Sequence, residues 1–153
     1  MNIRKATIKD FENLKKIKTE FYLWECGKDQ RLNPDWMNRG LGSRLGRNLR
    51  QNNTLFLIVE QDSEIIAYLG AEILKNPAWV NFKRRGHVFN LYVKPKYRNK
   101  NIGTLLIRKS LEWFKSKDVR DLMIMVYKNN NVAKKIYKKL GFKEYINELT
   151  NQR

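Results

Sequence analysis

Apolar positions recur along this chain with two periods, and the places where the period changes divide it into strands and helices. Ile3 to Ala6 alternates as a short strand. Thr7 or Asp10 can cap a helix from Lys9 to about Phe21, because Phe11, Leu14, Ile17 and Phe21 recur at helical spacing. Tyr22 to Cys26 then lead into Gly27-Lys28-Asp29. Asn33-Pro34-Asp35 opens a second helical stretch through Trp36, Met37, Leu41, Leu45 and Leu49, which Gly40, Gly42 and Gly46 weaken. Thr54 to Glu60 reads as a buried strand, Gln61 to Glu64 as a turn, and Ile65 to Leu74 as its antiparallel partner. Asn76-Pro77-Ala78-Trp79 breaks the sheet, Asn81 to Gly86 is a basic loop, and His87 to Val93 is a further strand.

After a turn at Pro95 and a polar loop, a helix opens at Ile102-Gly103-Thr104, with Leu105, Leu106, Ser110, Leu111 and Phe114 on its inner face and an end near Lys117-Asp118. Asp121 to Tyr127 is a continuous apolar run, expected as a central strand buried on both faces. Strand, helix, strand implies a right-handed parallel crossover. Asn129-Asn130-Asn131 caps a last helix carrying Ala133, Ile136, Tyr137 and Leu140, stopped by Gly141, and Phe142 to about Leu149 can form a final strand. The pattern predicts a single α/β (α+β) domain over residues 1–153: a mixed, mainly antiparallel sheet with one central parallel strand pair, flanked by about four helices.

Composition narrows the chemistry. One cysteine, Cys26, and one histidine, His87, give no internal disulfide, no His/Cys metal spacing and no Ser-His-Asp triad. The chain has neither a long apolar run nor the apolar core of a signal peptide, so a cytoplasmic protein with no membrane partner is expected. Asn52-Asn53-Thr54 has the form of a glycosylation sequon and reads as a polar turn. The net charge is +17, from 32 Lys and Arg against 15 Asp and Glu, so weak polyanion binding through a basic surface is expected.

The loop from Tyr97 to Thr104 concentrates the candidate chemistry. Its backbone N–H groups can point one way while the following helix adds its positive dipole end, which makes an anion seat. Gly103 lets a phosphate approach the backbone, and Asn101 tolerates the left-handed conformation that a nest requires.

These residues carry a family resemblance. The chain resembles the GNAT superfamily of acyl-CoA-dependent N-acyltransferases from Ile3-Arg4-Lys5-Ala6-Thr7 with Asp10 to Gly141-Phe142. Val93-Lys94-Pro95 with Tyr97-Arg98-Asn99-Lys100-Asn101-Ile102-Gly103 is similar to the family's acyl-CoA signature: Arg or Gln, two residues, Gly, one residue, Gly or Ala. Asn101 stands where the first Gly is usual, and its side chain is expected to crowd the pyrophosphate with some loss of affinity. Asn130 with Ala133, Tyr137 and Gly141-Phe142 resembles the second signature.

The resemblance implies acetyl transfer from acetyl-CoA to a primary amine by direct attack in a ternary complex, without a metal or a covalent enzyme intermediate. Backbone groups of Asn99, Lys100, Asn101, Ile102, Gly103 and Thr104 would hold the pyrophosphate, with Arg98 opening the loop. The edge of Leu91, Tyr92 and Val93 would pair with the pantetheine arm and polarise the acyl carbonyl; Asn130 and Ala133 would add cofactor contacts. Tyr137 would protonate the leaving thiolate. Glu72 and Glu25 are the candidates for the base, with His87 as a third. Tyr22, Trp24, Trp36 and Trp79 are expected at the acceptor, which the charge favours as a peptide or protein amine over a polyamine. Two rivals stand beside this reading. One is a nucleic-acid- or ribosome-binding module acting through faces that include Lys134, Lys135, Lys138, Lys139 and Lys143; the other is a non-catalytic CoA-binding sensor. The short tail after Phe142 points to a last strand that is missing or supplied by a partner, hence a homodimer.

Overall fold

The computed structural model of the protein describes residues 1–38 and 41–151. Five strands, β1 (Asn2–Lys5), β2 (Thr54–Gln61), β3 (Glu64–Lys75), β4 (Arg84–Val93) and β5 (Asp121–Ile124), lie side by side in chain order. The first four pair antiparallel, and β5 runs parallel to β4. Four helices complete the fold: α1 (Phe11–Cys26), α2 (Leu41–Arg50), α3 (Ile102–Ser116) and α4 (Asn131–Lys139).

The sheet is covered on both sides because β2 and β3 are apolar at nearly every position, so each strand feeds two cores by simple alternation. Leu55, Leu57, Leu69, Ala71 and Val88 pack with Ile102, Leu106 and Phe114 of α3 and with Tyr137 of α4. Phe56, Ile58, Tyr68 and Tyr92 point the other way, against Leu14, Ile17 and Phe21 of α1 and Leu45 of α2. Arg4 ties the start of the chain together: it donates to both carboxylate oxygens of Asp10 (2.6 and 2.9 Å) and to Glu60 (2.8 and 2.9 Å). The Thr7 N–H donates to Asp10 as well, at 2.7 Å.

Several elements differ from the pattern-based expectation. α1 does not stop at Phe21 but runs to Cys26, since its buried face continues from Phe21 to Trp24, whose rings lie 5.2 and 6.2 Å from Tyr92. The second helical stretch is two pieces, a short turn of helix at Pro34–Asn38 and α2; Gly40 lies outside the described residues. β4 begins at Arg84, within the expected basic loop, because Lys75 and Arg84 extend the β3 pairing. On α3, Leu105 is exposed and Ile107 takes a buried place. No strand forms over 142–149 among the described residues, where Tyr145, Ile146 and Leu149 are exposed.

The largest difference concerns β5. It ends at Ile124, is half-buried, and forms the edge of the described sheet, so the parallel pair is not central; Met125, expected inside, is 71% exposed. The cause lies in β4. Gly70 pairs with Asn90 and Ala71 with Val88, which leaves Phe89 as an unpaired bulge residue, and the β4–β5 ladder stops at Val88–Ile124. A bulge bends and twists its strand, so β4 turns away from β5 at this point. Gly70 makes the bulge fit: a Cβ there would lie 2.4 Å from Cε2 of the Phe89 ring.

Gly70→Ala is therefore expected to lower stability by about 1–3 kcal/mol through overpacking. Denaturant midpoints of Gly70→Ala, Phe89→Ala and the double variant check this. A double variant more stable than additivity allows locates the effect in that contact.

Candidate active site

Beyond Val88, the side of β4 that faced β5 is open. The Lys94 N–H donates to Ile66 O of β3 at 3.0 Å, so strand alternation turns the N–H and C=O groups of Leu91 and Val93 toward the opening. Arg98 occupies one of them, with Nε donating to Val93 O at 3.0 Å. Its guanidinium lies over Trp24 and Tyr92, 5.0 and 5.9 Å from the ring centres. Arg98 thus braces the strand end against α1.

The loop between β4 and α3 is the one in which the sequence places an anion seat. Asn99 and Asn101 both take left-handed conformations, φ 62° and 58°, so Asn101 keeps the backbone path that a glycine would take. Among the described residues, no acceptor takes the N–H groups of Asn99 through Thr104, and Leu105 is the first to donate back, to Asn101 O at 3.1 Å. Six backbone amides at and before a helix N-terminus are thus left without an acceptor among the described residues, a donor set of the kind that suits an anion. A Cβ on Gly103 would meet only Leu91 Cδ2, at 3.7 Å, leaving room beside the amides.

Tyr137 joins this region through the core, packing in the cluster that holds Leu91, Val93 and Ile102. It is 7% exposed, its hydroxyl makes no hydrogen bond among the described residues, and burial pushes its pKa up to about 12. A phenol so placed stays protonated at neutral pH and can act as an acid. Asn130 caps α4, with its side-chain oxygen accepting from Ala133 N–H at 3.1 Å, so the turn carrying both residues is fixed. Two of the five basic residues proposed for a polyanion face, Lys134 and Lys138, are paired with Glu144 at 3.8 and 3.3 Å.

The opposite face of the bulge holds Lys18, which the sequence analysis did not single out, on the same helix face as the candidate base Glu25. Lys18 donates to Asn90 Oδ1 at 2.9 Å, and its ammonium stands 5.5, 5.3 and 5.7 Å from the centres of Phe56, Tyr68 and Phe89. Desolvation lowers its pKa to about 8. Two turns along α1, Glu25 is half-buried and pushed up to about 6, mainly by burial. No hydrogen bond is made by its side chain among the described residues. The Tyr68 hydroxyl is fully enclosed and unpartnered, and Tyr127 donates to Asp29 at 3.3 Å nearby on the α1 exit. The signal was present: Leu14, Lys18, Phe21 and Glu25 follow the spacing of one helical face, so two charges sit on the stripe that packs inward.

The other candidates separate. Glu72 accepts from His87 Nδ1 at 3.2 Å, and His87 Nε2 is buried without a partner. Tyr22 and Trp36, with rings 5.5 Å apart, line an open hollow of about 270 Å³ with Arg31, Leu32 and Asn33, while Trp24 packs on Tyr92. Trp79 is elsewhere, in the β3–β4 connection.

A bulged strand opening beside a loop of unpaired amides offers donors that suit an acyl-CoA. Comparison with known proteins agrees: the family model for the Acetyltransferase (GNAT) family matches residues 18–142. The chain belongs to the GNAT acetyltransferases. That membership makes acetyl-CoA the donor and an amine the acceptor class of its chemistry. A Bacillus subtilis (strain 168) protein assigned as a [ribosomal protein bS18]-alanine N-acetyltransferase is 33% identical over 86 residues, 56% of this chain and 52% of that one, so the chain spans about half of that relative. The spermidine N(1)-acetyltransferase of Thermoplasma acidophilum is 26% identical over 150 residues, 94% of this chain and 88% of that one. A predicted acetyltransferase from Clostridium acetobutylicum, solved with acetyl-CoA, superposes with a TM-score of 0.77 at 25% identity, covering 99% of this GNAT chain and 95% of the other.

The free space at Gly103 makes the seat testable. Gly103→Ala is expected to leave folding intact, whereas Gly103→Trp should weaken acetyl-CoA binding by tenfold or more in calorimetric titration, with the thermal transition unchanged. Equal affinity of the Trp variant would place the pyrophosphate elsewhere.

Proposed function

We propose that this GNAT protein acetylates the primary amine of a peptide or protein in the cytoplasm, by direct attack on acetyl-CoA in a ternary complex. The observation that carries the proposal is the opening of β4 at Phe89, with the free backbone of Leu91 on one side and the Lys18–Glu25 face of α1 on the other. Acetyl-CoA supplies the activated acetyl group. The amides of Asn99 through Thr104 hold its pyrophosphate, and Leu91 N–H meets the carbonyl oxygen as charge builds there.

Glu25 serves as the base that takes a proton from the acceptor ammonium, directly or through water. A pKa of about 6 leaves it ionised at neutral pH yet basic enough for transfer, and its oxygens are uncommitted, unlike those of Glu72. Tyr137 returns a proton to the departing thiolate sulfur. Lys18 fixes a cation on the acceptor side of the bulge, which lowers the pKa of an incoming ammonium and disfavours a polycation. This supports a peptide amine, the acceptor class of the B. subtilis relative, over a polyamine like that of the T. acidophilum one. The Tyr22–Trp36 hollow with Arg31 offers a place for the peptide beyond its amine. The unpaired outer edge of β5 supports a homodimer, and a monodisperse monomer in light scattering would count against it.

Acetyl transfer to a panel of peptide amines, followed by thiol release, tests the whole reading; acetyl-CoA binding with no transfer to any amine would leave a CoA sensor. Tyr137→Phe is expected to lower kcat by about 10²-fold with little change in acetyl-CoA affinity. The wild-type rate should rise with pH through about 6 as Glu25 ionises, and Glu25→Gln should lose both that limb and about 10²-fold in kcat. Lys18→Met should shift preference toward spermidine relative to peptides, measured as a ratio of kcat/KM values.

A further inference from the structure

The β3–β4 connection carries two aromatic rings that the fold does not use. Trp79 is 85% exposed and Phe82 52%, and among the described residues neither stacks on another ring or lies beneath a cation. The segment that presents them is tied down. Asn76 N–H donates to Lys83 O at 3.0 Å, its side-chain amide donates to Phe82 O and to Asp121 Oδ2 at 2.9 Å each, and Val80 N–H donates to Pro77 O at 3.0 Å. The rings are held outward by a closed loop. Exposed aromatic surface of this kind, on an otherwise cationic protein, marks a contact with something else.

Charge around the rings is one-sided. Lys75 and Arg84 pair across the strands, and Arg84 Nη2 donates to Lys117 O at 2.8 Å, which brings the end of α3 against the loop. Among the described residues, Lys75, Lys83, Arg84 and Lys117 make no ion pair. The two acids nearby are already engaged: Asp121 by Arg85 at 2.7 Å, and Asp118 by Arg120 at 3.2 Å.

We propose that the β3–β4 connection is a docking site for single-stranded RNA, with Trp79 and Phe82 stacking on unpaired bases and Lys75, Lys83, Arg84 and Lys117 meeting the phosphates. Cations alone attract any polyanion. Free aromatic faces beside them add a preference for bases that are not already stacked in a duplex. The net charge of +17 steers the strand toward the protein from a distance, while the aromatic pair fixes where it settles. The site also stands clear of the acyl-CoA opening. The loop enters β4 at Arg84, five residues or about 16 Å of strand before the opening at Phe89 and about 30 Å before the loop that follows Val93, so both can be filled together.

Fluorescence anisotropy of a labelled oligouridine, against a duplex RNA of equal charge and against anionic phospholipid vesicles, tests the assignment over a range of salt. The expected result is saturable binding that weakens with salt and favours the single strand. Trp79→Ala should bind about tenfold more weakly, Phe82→Ala should weaken binding in the same direction, and Lys83→Ala should reduce the salt slope by about one. All three side chains are exposed, so the variants should keep the wild-type circular dichroism. Affinity unchanged in both aromatic variants, equal affinity for single strand and duplex, or binding to vesicles with none to oligouridine would each overturn the proposal.

Discussion

The contact between Phe89 and the bare backbone of Gly70 is the constraint on which the rest of this molecule depends. A ring laid across a glycine lets one extra residue stand in β4 without a partner, and that residue ends the ladder to β5. Backbone groups that a longer β5 would satisfy are left open on Leu91, and Val93 O is taken by Arg98 instead. The same bulge places Phe89 and Asn90 on the face of α1, where they close a chamber around Lys18. One local irregularity therefore opens the strand on one side and encloses Lys18 on the other.

The two sides of the bulge work on opposite electrostatic principles. On the α3 side, a helix N-terminus and six free amides gather partial positive charge without a single side chain, which suits an anion that must slide in and out. On the α1 side, full charges are held in poor solvent: burial pulls Lys18 down to about 8 and pushes Glu25 up to about 6. Each moderates the other through its charge. Both groups titrate near neutrality as a result, and proton transfer on that side needs little free energy. Tyr137, buried among apolar groups on the first side, is held in its acid form.

Net charge does not say which cations of this protein are available. On and just after the lysine-rich last helix, Lys134 and Lys138 share Glu144, while Lys135, Lys139 and Lys143 make no ion pair among the described residues. The β3–β4 loop carries fewer charges per residue, but its cations are unpaired among the described residues and its rings are exposed. Distribution of charge among neighbours, which only the folded chain sets, decides which cations are available.

Much of the fold was legible in the sequence because its signals are local. Periodicity located the β2–β3 hairpin and the four helical segments, Asn101 marked a left-handed turn before α3, and Asn130 and Gly141 bounded the last helix. Family resemblance supplied the donor and the chemistry. Tertiary structure alone decided the rest. An apolar run such as Asp121 to Tyr127 reads as a central strand whether or not a neighbour is present, since burial depends on what lies beside it; β4 bends away and leaves Met125 in solvent. Lys18 and Glu25 were visible as charges on an apolar stripe, but their titration near neutrality comes from burial in the folded chain, with Lys18 set among Phe56, Tyr68 and Phe89 of three different strands. Trp79 was grouped with the acceptor aromatics by residue type and separated from them by topology. Sequence determines which groups a segment can offer, and only the packed chain determines which of them remain unsatisfied and facing one another.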